Sequence, residues 1–379
     1  KGNKNLCLKI TWKKCRIIIV KKTFIVVLFC LIFISIPAYS EITATIGGSI
    51  TNTGAFGLAA AQILQNINSI IYDYSVTLNS IAPFVTDSFA ISIVNSMPIG
   101  VKKIKNFTFG FAINPAASFS KIDFWNTDNQ GAAGSVPKAG VGVNVSLFGG
   151  ISLGERFDLY FSGSYVPAAV FDAIKYKPQE FTLSIMSVGT KLRYVLLNKN
   201  KKKTNDFAGI AISPGLFFGY NKLNYNKTPL DLSANYDTGI TNGFGTPPTF
   251  PGVLQVTDAG ITTKIYVLTL DVEISFFFSF FKILNVYVSV GGSLNFSWMQ
   301  MDGRVGVSNT ITTYTPAATP MTETGFISIT GKTSGSQILP RVSLGLEFNL
   351  FVRIILQGTA SWSKGQGLYS GTFAIRFEF

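Results

Sequence analysis

Histidine is absent from all 379 residues. Without an imidazole, neither a Ser-His pair nor a His-containing metal site can be built, so no catalytic residue, metal or cofactor is expected. Cysteine is almost as scarce: Cys7, Cys15 and Cys30 are the whole complement, and all three lie within the first 40 residues. Charged residues make up 13% of the chain, against roughly 25% in an average soluble domain. Beyond residue 40 no apolar run reaches the ~20 residues of a spanning helix. Walker and dinucleotide glycine patterns are missing too, and the scattered glycines read as turns and close-packing positions. A membrane protein built without spanning helices must satisfy its backbone between strands, because lipid offers open edges no partners.

Residues 1–40 read as a secretory leader. Lys1 to Lys22 holds eight cations and no acid, Phe24 to Ile36 is uncharged and apolar, and Ala38 and Ser40 supply the small residues of a cleavage site. Cleavage is expected after Ser40, the alternative being an uncleaved membrane anchor. The remaining chain would be free of cysteine and could not misoxidise on its way through the periplasm. It would keep 24 cations against 19 acids, a balance of +5 instead of +13. The basicity therefore belongs mostly to the leader and gives no argument for nucleic acid.

Residues 41–103 read as an N-terminal segment, either a luminal plug or a periplasmic extension. From Thr53 to Tyr74 the pattern is helical, with Ile63, Ile67, Ile70, Ile71 and Tyr74 on one face and Gln62, Asn66 and Asp73 elsewhere. Residues 75–100 are ambiguous, since Phe89, Ile91 and Ile93 alternate while Pro83 and Pro98 bracket the piece.

Residues 104–379 read as strands. Phe107, Phe109, Phe111 and Ile113 open the first, and Val141, Val143, Val145 and Leu147 mark the second. The longest runs alternate from Tyr266 to Phe280 and from Val286 to Trp298, and are expected to project outward as a hairpin stalk. A phase slip near Ser187 is expected to be a bulge. Connections alternate in length. Short turns fall at Gly154 and Glu155, Asn198 to Asp206, Phe281 and Lys282, and Asn349 to Phe351. Long loops are expected at Ser120 to Gly140, Pro167 to Gln179, Asn224 to Gly260 and Met301 to Ser336. Short periplasmic turns with long outer loops characterise transmembrane barrels. The expected fold is thus all-β, an antiparallel up-and-down transmembrane β-barrel of about ten strands with a short N-terminal amphipathic helix. Twelve to fourteen strands result if Ile42 to Ile50, Phe89 to Asn95 or part of a long loop joins the sheet.

The last eleven residues, YSGTFAIRFEF, put Tyr369, Phe373, Ile375, Phe377 and Phe379 on one face at period two. This stretch resembles the closing strand of bacterial outer-membrane β-barrels, whose terminal aromatic residue is read by the barrel-assembly machinery. Asn114, Pro115 and Ala116 resemble a tripeptide near the start of the FadL-type hydrophobic-compound transporters, which carry an N-terminal luminal hatch. The strand count of ten departs from the fourteen of that family, and the Ala/Gly-rich lead-in is missing. Barrel proteases and phospholipases rely on a histidine that this chain lacks.

With the apolar face toward lipid, the lumen receives Asp158, Tyr160, Lys191, Arg193, Asp271, Glu273, Arg341, Glu347, Arg353, Arg376 and Glu378. Acids and bases sharing a narrow interior either pair as structural fillers or line a solute-selective pore. Arg376 and Glu378 are available to seam the last strand to the first. Trp298, Trp362, Tyr165 and Tyr266 suit interfacial girdles, and the four lysines between Lys199 and Lys203 a solvated periplasmic turn. The leading reading is a passive outer-membrane channel or transporter for small or hydrophobic compounds, its N-terminal segment serving as gate or plug; the alternative is a structural or adhesive surface barrel whose long loops meet a host ligand. Expected partners are outer-membrane lipid and the assembly machinery, after export through the periplasm.

Overall fold

In the computed structural model the described residues are 39–48, 82–101, 104–120, 139–167, 181–201, 206–227, 232–237, 251–280, 283–313, 319–363 and 366–379. Residues 1–38 of the expected leader and the amphipathic stretch at 53–74 lie outside them, while Tyr39 and Ser40, the last two of that leader, begin the first strand. Among them, one helix and twelve strands occur. The helix, α1, covers residues 82–94. The strands are β1 (Tyr39–Gly48), β2 (Phe107–Ser120), β3 (Ala139–Ser152), β4 (Phe157–Val166), β5 (Phe181–Lys201), β6 (Asp206–Lys227), β7 (Leu232–Asp237), β8 (Pro251–Phe280), β9 (Leu284–Thr313), β10 (Thr319–Asn349), β11 (Arg353–Ser363) and β12 (Gln366–Glu378).

Ten of these close into a ring. Each strand from β2 to β6 pairs with the next, β6 pairs with β8, β8 to β12 follow in order, and β12 returns to β2. The closing seam is antiparallel and begins with Glu378 opposite Thr108. Phe107 and Phe379 extend it by exchanging backbone hydrogen bonds at 3.4 and 2.9 Å, with their rings 6.2 Å apart. Closure removes every edge from the spanning part, as an apolar medium requires. The strands β1 and β7 lie outside the ring, on β10 and β8 respectively, so the sheet has twelve strands and the barrel ten. Phe89 to Asn95, a possible added strand by its alternation, belongs to α1 and its C-terminal turn.

Alternation along the strands is the direct product of the lipid belt. On β3, Val141, Val143, Val145 and Leu147 are exposed, while Gly142, Asn144, Ser146 and Phe148 between them are buried. On β12, Tyr369, Phe373, Phe377 and Phe379 are exposed outward, with Ile375 half-buried on the same face. At one end the connections are short, at 153–156, 202–205, 281–283 and 350–352, the pattern of the periplasmic end in transmembrane barrels. Trp298, Trp362 and Tyr165 are exposed at the other end, with Tyr266 directly opposite Trp298.

Three expectations are corrected. The stretch from Met301 to Ser336 is not a long loop: β9 and β10 pair without interruption from Phe348 opposite Leu284 to Thr319 opposite Thr313. Much of Asn224 to Gly260 is likewise strand, in the ends of β6 and β8 and in β7. Thr and Gly looked loop-like there because the apolar alternation stops; yet threonine is a good strand former, and pairing outside the membrane needs no lipid-facing stripe. The register irregularity on β5 falls between Val195 and Leu197, not near Ser187, which keeps its inward phase.

Candidate functional site in the plugged lumen

The lumen holds α1 and the residues that follow it. Phe89, Ala90, Ile91, Ile93 and Val94 are all at most 1% exposed, and the polar Thr86, Asp87, Ser88 and Ser92 between and before them are buried too, so from Thr86 onward the helix is enclosed on every side. Its residues satisfy a period of two and of 3.6 alike. Helix wins because a segment inside a closed ring has no free strand edge to pair with and must satisfy its own backbone. The approach to the wall is close: a Cβ on Gly140 would lie 2.3 Å from the Phe84 backbone, and one on Gly142 would lie 2.6 Å from that of Ser88. Only glycine lets helix and β3 touch in this way.

Polar groups fix the plug from the outer end to the inner. Ser118 on β2 donates to the Phe84 carbonyl at 2.7 Å, and Ser88 donates to the Gly140 carbonyl at 3.0 Å. Midway, Asn95 donates to Ser370 at 2.5 Å and Ser146 donates to the Ser96 carbonyl at 2.9 Å. At the inner end the wall supplies charge. Arg376 donates to the Ile99 carbonyl and Arg193 to the Val101 carbonyl, both at 2.6 Å, while the Val101 amide donates to Glu347 at 2.5 Å. Hydrogen bonds to charged groups contribute about 1.5–3 kcal/mol each, roughly twice a neutral one, so residues 99–101 are the most firmly held part. Gly100 makes the turn with φ of +68°. A Cβ there would also sit 2.6 Å from Glu347, so glycine is needed twice over.

The predicted luminal charges form two clusters. In the first, Lys191 on β5 lies 2.6 Å from Glu273 and 3.3 Å from Asp271, both on β8. Arg341 on β10 reaches the same two carboxylates at 2.8 Å, and Ser293 donates to Asp271 at 2.9 Å. Neutral residues bridge the intervening strands: Gly215 stands between Lys191 and Asp271, and Gly291 between Arg341 and Glu273. A missing side chain in each gap lets the charges meet. In the second cluster, Glu347 accepts from Arg376 at 3.1 Å and lies 3.5 Å from Arg353, which also pairs with Glu378. Arg193 lies 3.8 Å from Asp158 and its guanidinium sits 5.2 Å from the centre of the Phe277 ring. Arg376 and Glu378 therefore tie β12 to β10, β11 and the plug, not to β2 as the sequence suggested. Desolvating each ion costs several kcal/mol, which only such multiple pairing offsets.

Among the described residues plug and wall pack closely. A cavity of about 10 Å³ for water centres, lined by Val94, Asn95, Met97, Lys191, Glu273 and Tyr287 among others, is about the size of a single water. On the plug itself, Asp87 is buried close to Asn295 of β9, and its Oδ2 has no hydrogen-bond partner.

A family model described as Lsa36-like matches residues 38–379. The chain belongs to the Lsa36-like family. No curated protein matches it. Among solved structures, the toluene transporter TbuX of Ralstonia pickettii is 10% identical, covers 73% of this chain and 90% of its own, and superposes with a TM-score of 0.24. The translocator domain of autotransporter NalP from Neisseria meningitidis is 6% identical over 81% and 98% at a TM-score of 0.27. The attachment invasion locus protein Ail of Yersinia pestis is 6% identical over 73% and 100% at 0.25. TM-scores this low carry nothing about function.

For this Lsa36-like barrel the ten sequence-predicted luminal charges, Asp158, Lys191, Arg193, Asp271, Glu273, Arg341, Glu347, Arg353, Arg376 and Glu378, all sit on the inner face. Sequence reasoning placed the wall and allowed a luminal plug within 41–103, but put its helix at 53–74, outside the described residues, left 82–101 ambiguous, and missed the neutral contacts Ser118, Ser146, Gln357 and Ser370. One signal was present: inward positions facing the plug are unusually small, as Gly140, Gly142 and Gly219 show. Among the described residues no group of three or more metal-ligating side chains occurs. Asn114, from the FadL-like tripeptide, is fully buried on β2 and donates to the Asn144 carbonyl at 3.4 Å.

Proposed function

We propose that this outer-membrane β-barrel is closed and works at the cell surface, its spanning part serving as the anchor for an extracellular sheet that meets a host or environmental ligand. The observation that carries this reading is the plugged lumen: among the described residues, α1 and the 99–101 tether are packed against the wall and held beside two ion-pair clusters. Opposite it stands the extension of β8, β9 and β10, strands of 30, 30 and 31 residues, where about 9–11 suffice to cross a bilayer. The strands β1 and β7 broaden that extension. The reading is not enzymatic, and assembly by the barrel machinery through the outward aromatics of β12 belongs to it.

The second reading is passage of a small or hydrophobic compound once the plug moves. It is favoured by buried polar atoms on the inner wall that find no hydrogen-bond partner among the described residues, those of Ser213, Thr269 and Asn285. Conductance across a planar bilayer separates the two. The intact protein is expected to be silent, and a variant lacking residues 82–101 to open an Ohmic pore. Steady conductance by the intact protein contradicts the closed-barrel reading.

A further inference from the structure

The two ends of the N-terminal part lie on opposite sides of the membrane. β1 runs antiparallel to β10, from Tyr39 opposite Ser334 to Gly48 opposite Gly325. On β10 the last residue paired to β11 at the outer rim is Arg341, opposite Ser361. Ser334 is seven residues further out, roughly 20 Å along the strand at ~3.3 Å per residue. The whole of β1 is therefore extracellular. From residue 82 the chain runs inward. Phe84 sits beside Ser118 and Gly140 at the outer ends of β2 and β3. Ile99 and Val101 reach Arg376, Arg193 and Glu347 near the inner ends of their strands. The Asn106 carbonyl finally accepts from the Ser152 amide at the periplasmic rim, at 3.2 Å. Residues 49–81 join the two parts covalently.

We infer that the chain passes through its own barrel, so that the N-terminal strand is displayed outside the cell as an edge of the extracellular sheet while the lumen serves as its conduit. An even ring of ten strands starts and finishes in the periplasm; an N-terminal strand outside it can reach β2 only through the lumen. The plug is thereby tied at both ends, above by the register pairs of β1 with β10, eight of them from Glu41 to Gly48 if cleavage follows Ser40, and below by β2. It cannot withdraw into the periplasm without β1 leaving the sheet. The inference goes beyond the closed-barrel reading and does not depend on it, since a conducting barrel would equally expose β1.

From Tyr39 onward the chain is free of cysteine, which makes the test direct. Thr43 and Thr330 are exposed and their hydroxyls lie 2.7 Å apart. In intact cells a membrane-impermeant maleimide is expected to label Thr43→Cys as fully as Lys332→Cys on the neighbouring β10, with the unsubstituted protein setting the background. Glu155→Cys, in a periplasmic turn, is expected to react only after the outer membrane is permeabilised. The double variant Thr43→Cys, Thr330→Cys is expected to form a disulfide that shifts its mobility on a non-reducing gel. Labelling of Thr43→Cys only after permeabilisation, while Lys332→Cys reacts on intact cells, overturns the inference. So does a mature N-terminus that begins beyond Gly48. Conductance is read separately, so failure here leaves the closed-barrel result standing and the reverse also holds.

Discussion

The same strands present opposite faces in the membrane and above it. On β9 the lower half turns Val286, Val288 and Val290 outward and Asn285, Ser289 and Ser293 inward, the last three at most 1% exposed. Above Trp298 the phase of the backbone is unchanged and the chemistry is reversed. Gln300, Asp302 and Arg304 now occupy the outward positions, and Met299 and Val307 are buried on the inner side. Val307 packs there with Ile327 of β10, against Val305 and Ile329. Neighbouring strands follow: Lys264 on β8 meets Asp302 at 3.7 Å, and Arg304 lies over the Phe326 ring at 4.3 Å. The reversal needs no bend or new fold. It records which side of the sheet faces the poorer solvent, lipid outside the barrel or the sheet's own concave core beyond it, and Trp298 with Tyr266 stands where one regime gives way to the other.

The largest effect that sharpens this contrast concerns charge. Glu273→Gln removes a carboxylate that Lys191 and Arg341 share and leaves both cations on Asp271 alone. Breaking a buried pair in this way costs about 3–5 kcal/mol. Asp302→Asn removes the half-exposed partner of Lys264 in the extension, where a surface pair is worth about 0–1 kcal/mol. Urea unfolding followed by the mobility of unboiled samples in detergent gels should rank the two in that order. Equal costs would mean that the luminal cluster is hydrated.

A smaller effect probes the outer face. Val290→Arg, near the middle of the lipid belt, should cost about 2–4 kcal/mol, falling to about 0–1 near the interfaces. Ser308→Arg, at an outward phase position of the same strand above Trp298, should be close to neutral by the same assay. A penalty at Ser308 matching that at Val290 would break the comparison.

How much of this was legible in the sequence follows the same division. The outward phase could be read wherever lipid imposes it, from Phe107 to Ile113 or from Val286 to Trp298, because one face must be apolar at every second position. Above the rim that constraint lapses, and the Thr- and Gly-rich stretch from Met301 to Ser336 concealed two paired strands. The luminal charges were legible as positions and illegible as partners. Lys191 meets Asp271 two strands away only because register places Gly215 between them, and register is a property of the closed ring. Which part of the N-terminal segment enters the lumen was hidden for a third reason: Phe89, Ile91 and Ile93 fit strand and helix equally, and only enclosure by the barrel decides between them.

The central claim is that one set of strands changes solvent at Trp298, and a depth scan along β9 tests it most directly. An environment-sensitive fluorophore is placed singly on cysteines at Val286, Val290, Arg304 and Ser308 in the refolded, bilayer-inserted protein. Lipid-borne quenchers are expected to dim the first two and water-soluble quenchers the last two. A strand quenched alike on both sides of Trp298 would contradict the account.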